Sequence, residues 1–465
     1  MFFLWGFLCF SQSSNDLILS GNTKGEQGDF YGAISDYSKA IGVDPGNYNA
    51  YFIRGVAKSE TKDFQGAIDD LDKAIELNDT LVDAYIYRSL AKAYMGDNAG
   101  ALTDINKVVF MNPDEVGPYL IRARIKRESG DDYGAISDLT KVIINNPNES
   151  QAYYYRAYSK ANLSQIPGAI SDLSKSIDIN PQNDEAFSLR GSLKLSTEDH
   201  YGAIGDFSQA IIINPTNERA LLNLGVAKAE LGDIGGAARE FNSLTRIYPN
   251  NPDGHFNLGL VKSELGDIVG AIVSFSRAIE LNNNHLDAYF ERALAKISQE
   301  DFNGALSDYN EAIRMNPESD LAYVNRGFLK TRFGDTSGAI ADFNKSLEIN
   351  PNNEDALLNR GKALIERRDF QRAAQDFNKA IQVNPNNDTP YIQLAVIKES
   401  QNNLRGALAD LNKAIQTNRG SGIAYFNRGV VKYKLRDRNG ACSDWSKAGE
   451  LGIRNAYENI NRFCR

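Results

Sequence analysis

One period governs this chain. Steps of 34 residues from Ala33 land on Ala67, Ala101, Ala135, Ala169, Ala203, Ala237, Ala271, Ala305, Ala339, Ala373, Ala407 and Ala441 without an insertion or deletion. The preceding column is glycine from Gly32 to Gly440, with Arg372 the single exception. Thirteen repeats, starting at residues 14, 48, 82, 116, 150, 184, 218, 252, 286, 320, 354, 388 and 422, therefore tile residues 14–452. A register held this strictly leaves no room for separate globular domains, and it predicts an array in which each repeat is stabilised by its neighbours.

Each repeat reads as two helices. Leu221, Leu224, Gly225 and Lys228 recur at three- and four-residue steps and so share one helical face. Leu231-Gly232-Asp233 then breaks the pattern: Gly232 can take the left-handed residue that ends one helix, and Asp233 can cap the next. Aspartate holds this capping column in eleven of thirteen repeats. The second helix carries Ala237, Phe241 and Leu244 and stops at Pro249, or elsewhere at pairs such as Asn112-Pro113 and Asn350-Pro351.

Leu221-x2-Leu224-Gly225-x2-Lys228, Ala237-x3-Phe241 and Pro249 together resemble the tetratricopeptide repeat signature, here in an arginine- and lysine-containing subtype. The resemblance implies an all-α fold: a right-handed α-solenoid superhelix of 13 antiparallel helix hairpins. A C-terminal helix over 453–465, with Ile453, Ala456, Ile460 and Phe463 on one face, caps the last hairpin. It also implies a concave groove lined by the first helix of each hairpin.

The chain departs from the family pattern in two columns. Arginine replaces the usual leucine at Arg54, Arg88, Arg122, Arg156, Arg190, Arg292, Arg326, Arg360 and Arg428, and lysine replaces the usual tyrosine, as at Lys58 and Lys432. Every arginine repeat carries Asp sixteen residues on (Arg54 with Asp70, Arg122 with Asp138, Arg428 with Asp444). The leucine repeats at Leu224, Leu258 and Leu394 carry Glu240, Ser274 and Asp410. The co-variation predicts an ion pair between the two helices of a hairpin that fixes register between repeats. Because helical side chains lean toward the N-terminus, Asp70 is expected to lie over Gly66, whose missing side chain leaves room for the guanidinium.

The groove face is read at the columns of Phe52, Ile53 and Val56. The first and third stay mostly apolar and give Phe52, Phe256, Phe290, Phe328 and Phe426 as candidate contacts for a partner. The Ile53 column changes character: it is apolar or aromatic in the first six repeats, with Tyr87 and Tyr155, then reads Asn223, Asn257, Glu291, Asn325, Asn359, Gln393 and Asn427. A row of amides can hold the backbone of an extended peptide whatever its sequence. This resembles the asparagine ladders of peptide-binding arms in the family; the alternative is that each amide satisfies local backbone. The aromatic half would take an apolar or helical segment, or else pack first helix on first helix. Arg124 and Lys362 are isolated, so the clustered carboxylate clamp of chaperone-binding members is absent.

Other chemistry is not supported. The net charge of −9 offers no footprint for a phosphate backbone, which weighs against an RNA-reading helical repeat. His200, His255 and His285 stand singly, so no metal is expected, and no segment outside the repeats is long enough to house a catalytic constellation. The reading is a non-catalytic scaffold that binds other proteins or peptides, with no cofactor, nucleic acid or small-molecule substrate; the alternative is the docking arm of an envelope enzyme or assembly complex.

Met1–Phe10 is apolar and uncharged, too short to span a bilayer, and resembles the core of a secretory signal ending near residue 13, although no Lys or Arg precedes it. Export to the periplasm or outside the cell is expected, with a cytoplasmic location the alternative and membrane association only through an uncleaved N-terminus. Cys442 and Cys464 are equidistant from Ile453, so antiparallel helices would bring them together as a disulfide; the alternative is that Cys442 is a small buried hydrophobe.

Overall fold

Two apolar helical runs per repeat, separated by a turn that neither can cross, give two helices per repeat. The structure is a computed structural model that describes residues 13–464; the stretch 1–12, with Cys9 and nearly all of the expected signal-like segment, lies outside them. Among the described residues there are 27 helices and no strand, from α1 (Ser14–Glu26) to α27 (Arg454–Phe463). Odd-numbered helices up to α25 are first helices of a repeat, and even-numbered helices are second helices. None of the described helices is long and apolar enough to cross a membrane. Contacts divide the chain into an N-terminal half ending at Glu240 and a C-terminal half starting at Phe241, and each is a run of stacked hairpins.

The intra-repeat turn repeats thirteen times. Between α3 (Tyr48–Glu60) and α4 (Phe64–Leu77), the Lys62 N–H donates to the Ser59 carbonyl at 3.0 Å and the Asp63 N–H to the Lys58 carbonyl at 2.9 Å. These two bonds use carbonyls that the helix end would leave bare. The residue before the cap is left-handed in every repeat, yet glycine occupies it in only six; Lys62, Ser164, Glu198, Glu300, Arg368, Asn402 and Arg436 hold φ between 58° and 67°.

The glycine column has a different cause from the one expected. A Cβ on Gly66 would lie 2.3 Å from the Asp63 carboxylate, and one on Gly32 or Gly440 would lie 2.0 or 2.1 Å from Asp29 or Asp437. The capping carboxylate, not the guanidinium, occupies that space, because its Oδ1 must fold back to accept the third N–H of the helix (Gly66 to Asp63, 3.0 Å). Arg372 shows what a side chain does there: its N–H still reaches Asp369, at a longer 3.2 Å.

All thirteen alanines of the 34-residue column are fully buried. Four positions on, the second helix carries the largest buried side chains, among them Tyr309, Phe207, Phe275, Phe343, Phe377 and Trp445. Opposite Tyr309 the first helix carries Ala293; opposite the other five it is cut back to glycine. Cβ atoms on Gly191, Gly259, Gly327, Gly361 and Gly429 would stand 2.8, 2.5, 2.7, 2.6 and 2.6 Å from Phe207, Phe275, Phe343, Phe377 and Trp445. Where the first-helix residue is Ala123, Ala157 or Ala395, the partner shrinks to Leu139, Leu173 or Leu411. In these eight repeats ring volume and missing Cβ offset each other; Gly55 facing Leu71 and Ala293 facing Tyr309 depart from the pattern.

The last hairpin ends under α27. Ala456 is fully buried, and the Phe463 ring lies 4.6 Å from Tyr433 and 5.9 Å from Trp445. Cys442, on α26 (Arg438–Glu450), and Cys464 are joined by a disulfide with Cα atoms 5.8 Å apart.

Candidate functional site

The first helices are fixed by a charged network beneath them. In all nine arginine repeats the guanidinium grips both oxygens of the aspartate sixteen residues on: Nη2 lies 2.6 Å from Oδ1 and Nε 2.8 Å from Oδ2 in Arg54–Asp70 and Arg122–Asp138, and 2.7 and 2.8 Å in Arg428–Asp444. Such bidentate pairing sets orientation as well as attraction.

Two further partners were not anticipated from sequence. In eight of the nine arginine repeats the residue four after the arginine is a lysine that reaches the same aspartate, as in Lys58–Asp70 and Lys432–Asp444 at 2.8 Å; after Arg360 it is Leu364. The remaining arginine nitrogen reaches back to the preceding repeat: Arg54 to Ser38 at 3.0 Å, Arg122 to Asn106 at 2.9 Å and Arg428 to Asn412 at 2.9 Å. In eight of the nine the guanidinium also packs over the aromatic ring three residues earlier, 5.1 Å from the Tyr119 centroid for Arg122; Arg360 has Leu357 there. Each arginine thus joins two helices of its own repeat to the repeat before it.

On the other face of the first helices, the structure brings two predicted site residues together. Phe52, on α3, and Tyr87, on α5 (Val82–Tyr94), meet edge to face at 5.8 Å. They line a cavity of about 220 Å³, floored by Phe30, Tyr37 and Val56. Tyr87 and Glu60 are shared with an adjoining cavity of about 360 Å³, whose wall is the stacked pair Phe64–Tyr94 at 5.0 Å. Phe64 and Tyr94 escaped the sequence reading because they sit at helix ends, outside the columns that define the groove face; an aromatic at the first position of a second helix was the available signal.

The remaining aromatic candidates correct the picture of a continuous exposed apolar strip. Phe256 packs against Phe275 and His285, at 5.9 and 4.6 Å, and Phe290 against Tyr309 at 5.7 Å. Phe426 is drawn into the cluster around Trp445. In the same column Val324, Leu358 and Ile392 are buried. A residue one position after the core residue is only about 100° round the helix, so Phe256 and Phe290 are still within reach of the second helix of their own repeat. Tyr155 is engaged as well: Arg127 lies 4.9 Å over its ring, and Gln151 donates to its hydroxyl at 3.0 Å. Phe328 is exposed, at 42%.

The amide column divides. Asn223 donates to Ser192 of the preceding repeat at 3.2 Å, and Asn257 to the Asp253 carbonyl of its own helix at 2.8 Å. Asn325 lies beside the Tyr309 hydroxyl, where burial holds the phenol well above its ordinary pKa. Among the described residues, Asn359, Gln393 and Asn427 are half-buried, and their amides make no hydrogen bond. Glu291 interrupts the row, and burial, with Asp287 adding to it, raises its pKa.

Family models described as Tetratricopeptide repeat match residues 19–81, 188–252 and 290–354, residues 252–285, and residues 354–387. Among solved structures, the chain is similar to the APC/C hetero-tetramer Cut9-Hcn1, at 14% identity and a TM-score of 0.45, with 97% of this chain and 96% of that one covered. It is also similar to a tetratricopeptide repeat protein from Parabacteroides merdae, at 20% identity and a TM-score of 0.39 over 53% of this chain and 98% of that one. Yeast Tom70 is similar at 17% identity and a TM-score of 0.35, with 96% and 99% covered. No curated protein matches in sequence.

Proposed function

Because the chain belongs to the tetratricopeptide repeat family, a repeat fold that generally serves as a non-catalytic interaction scaffold, we propose that it holds polypeptide segments against its first-helix face. The observation that carries this reading is the pair of adjoining cavities around Tyr87. Their aromatic walls and apolar floor suit one or two large apolar side chains of a partner, with Glu60 and Lys62 as the charged residues of the lining. In the C-terminal half, the three unbonded amides at Asn359, Gln393 and Asn427 supply donors and acceptors at repeat spacing for an extended backbone.

The Cys442–Cys464 disulfide supports an oxidising compartment, periplasmic or extracellular, for this scaffold, and with it the docking arm of an envelope assembly as the form the function takes.

The test is affinity capture with three full-length proteins: wild type, Phe52→Ala/Tyr87→Ala, and Asn359→Ala/Gln393→Ala/Asn427→Ala, with Glu76→Ala on a second helix as control. A polypeptide captured by wild type and by the control but lost from a groove variant bears out the reading. Capture that no groove substitution alters removes it.

A further inference from the structure

Repeat eight is where the charged network is dismantled. On α15 (Pro252–Glu264), Leu258 stands at the arginine position; on α16 (Ile268–Leu281), Ser274 stands at the aspartate position; Lys262 keeps the lysine. Among the described residues, eleven of the twelve lysines in this column sit against a carboxylate twelve residues on. Lys262 is the twelfth. Its Nζ meets the Ser274 hydroxyl at 3.2 Å, and that hydroxyl, 4% exposed, itself donates to the Gly270 carbonyl at 2.9 Å.

Loss of the arginine is not what leaves Lys262 without a carboxylate. The two other leucine repeats keep the pair, Lys228–Glu240 at 2.6 Å and Lys398–Asp410 at 2.7 Å. Only where serine replaces the acid is the ammonium without a counter-charge. A half-buried ammonium lacking a carboxylate is unfavourable, and a charge-assisted hydrogen bond is the strongest contact it can gain.

The surface above Lys262 is open, as it is above Arg360 and Asp376 in repeat eleven, where a cavity of about 550 Å³ lies at the equivalent positions. A cavity of about 570 Å³ lies over Lys262 and Ser274, walled by Leu258, Ile272 and Val273. The acid at its edge, Glu280, is already neutralised by Arg277 at 3.0 Å. At about 100° per residue, Leu258 and Lys262 share one face of α15 and Asn257 stands about 100° and 140° from them, outside the lining of this cavity.

We propose that this cavity is a carboxylate-binding site, in which a partner polypeptide inserts a carboxylate on a short apolar stem in the place of the missing aspartate. The ligand carboxylate accepts from Lys262 Nζ, and its stem lies on Leu258 and Val273. Both an acidic side chain and a chain terminus present this chemistry. The site does not depend on the groove reading, since no groove residue lines it and its probe is not a groove ligand.

Titration calorimetry on the full chain tests it with two peptides. One is Gly-Asp-Gly acetylated and amidated at its ends; the other is acetylated Gly-Val-Gly with a free C-terminus. Wild type is expected to bind at least one of them, which identifies the source of the carboxylate. Ser274→Asp, which fills the site with the chain's own acid, and Lys262→Gln, which removes the cation, are each expected to weaken binding by at least about tenfold. Ser274→Asp restores the residue type of the other repeats, so its thermal melting is expected to stay at or above wild type. Binding that persists unchanged in either variant, or a wild type that takes up neither peptide, overturns the proposal.

Discussion

Arg122 closes on both oxygens of Asp138, through Nη2 at 2.6 Å and Nε at 2.8 Å, while Lys126 holds Asp138 at 2.9 Å. The aspartate is buried, whereas the two cations keep 16% and 19% exposure. The acid is therefore the member whose burial demands partners, and the cations are the members that lose a partner if it goes. Asp138→Ala is expected to cost about 3–5 kcal/mol, because it strands two partly buried cations. The triple change Arg122→Met/Lys126→Met/Asp138→Leu is expected to cost less than Asp138→Ala alone. Urea melts of the two variants compare them directly, and equal losses would refute this account of the network.

Gly259 and Phe275 test the size matching between helices. A Cβ on Gly259 would stand 2.5 Å from the ring, so Gly259→Ala is expected to destabilise by about 1–3 kcal/mol despite the better helix propensity of alanine. Adding Phe275→Leu, the pairing used at Ala157–Leu173, is expected to recover part of the loss. A denaturation double-mutant cycle measures the coupling, and strict additivity would show that the two positions do not share space.

Glu300 occupies the left-handed turn position with φ 59°, where six other repeats carry glycine. Glu300→Gly removes the steric cost of a side chain there, on the order of 1 kcal/mol, against glycine's greater freedom in the unfolded chain. The expected outcome is a small rise in stability. Gly266→Glu, the reverse change at φ 83°, is expected to lower it. Calorimetric melting of both variants shows whether they move in opposite directions.

Glu291 gives a pH signature. Burial, helped by Asp287, raises its pKa in the folded chain, so the folded state binds the proton more tightly than the unfolded state does. The contribution is present in full below the ordinary carboxylate range and is lost as pH rises through the folded pKa. Glu291→Gln mimics the protonated form, so it is expected to be neutral in acid and stabilising near neutral pH. Stability curves of wild type and variant that run parallel across this range would exclude the effect.

Much of this was legible in the residues because the thirteen repeats act as an alignment of the chain with itself. The arginine–aspartate register could be read by comparing arginine repeats with leucine repeats, and the alanine column by stepping along the chain. Helix ends were legible because Asp63 and its counterparts must cap and Pro249 must stop. The aromatic groove face was less so. Phe52 and Phe256 occupy one column, yet the first lines an open cavity and the second is covered by Phe275 and His285. Sequence spacing gives the direction of a side chain around its own helix and says nothing about how far the neighbouring elements reach over it.

The sequence by itself determined the unit of construction: the period, the two helices, their caps, and which residues face inward, all consequences of short-range backbone geometry and of apolar spacing. Only the tertiary structure decided the contacts between elements. It showed that the capping carboxylate fills the space over the glycine, that each arginine reaches back to the preceding repeat, that Lys58 completes the grip on Asp70, and that Lys262, alone among the lysines of its column, meets an uncharged partner beneath an open cavity. The physical reason is range. Hydrogen bonding and periodicity along one chain segment act over three or four residues, whereas packing and charge pairing depend on distances between helices, and those are set only once the hairpins are stacked.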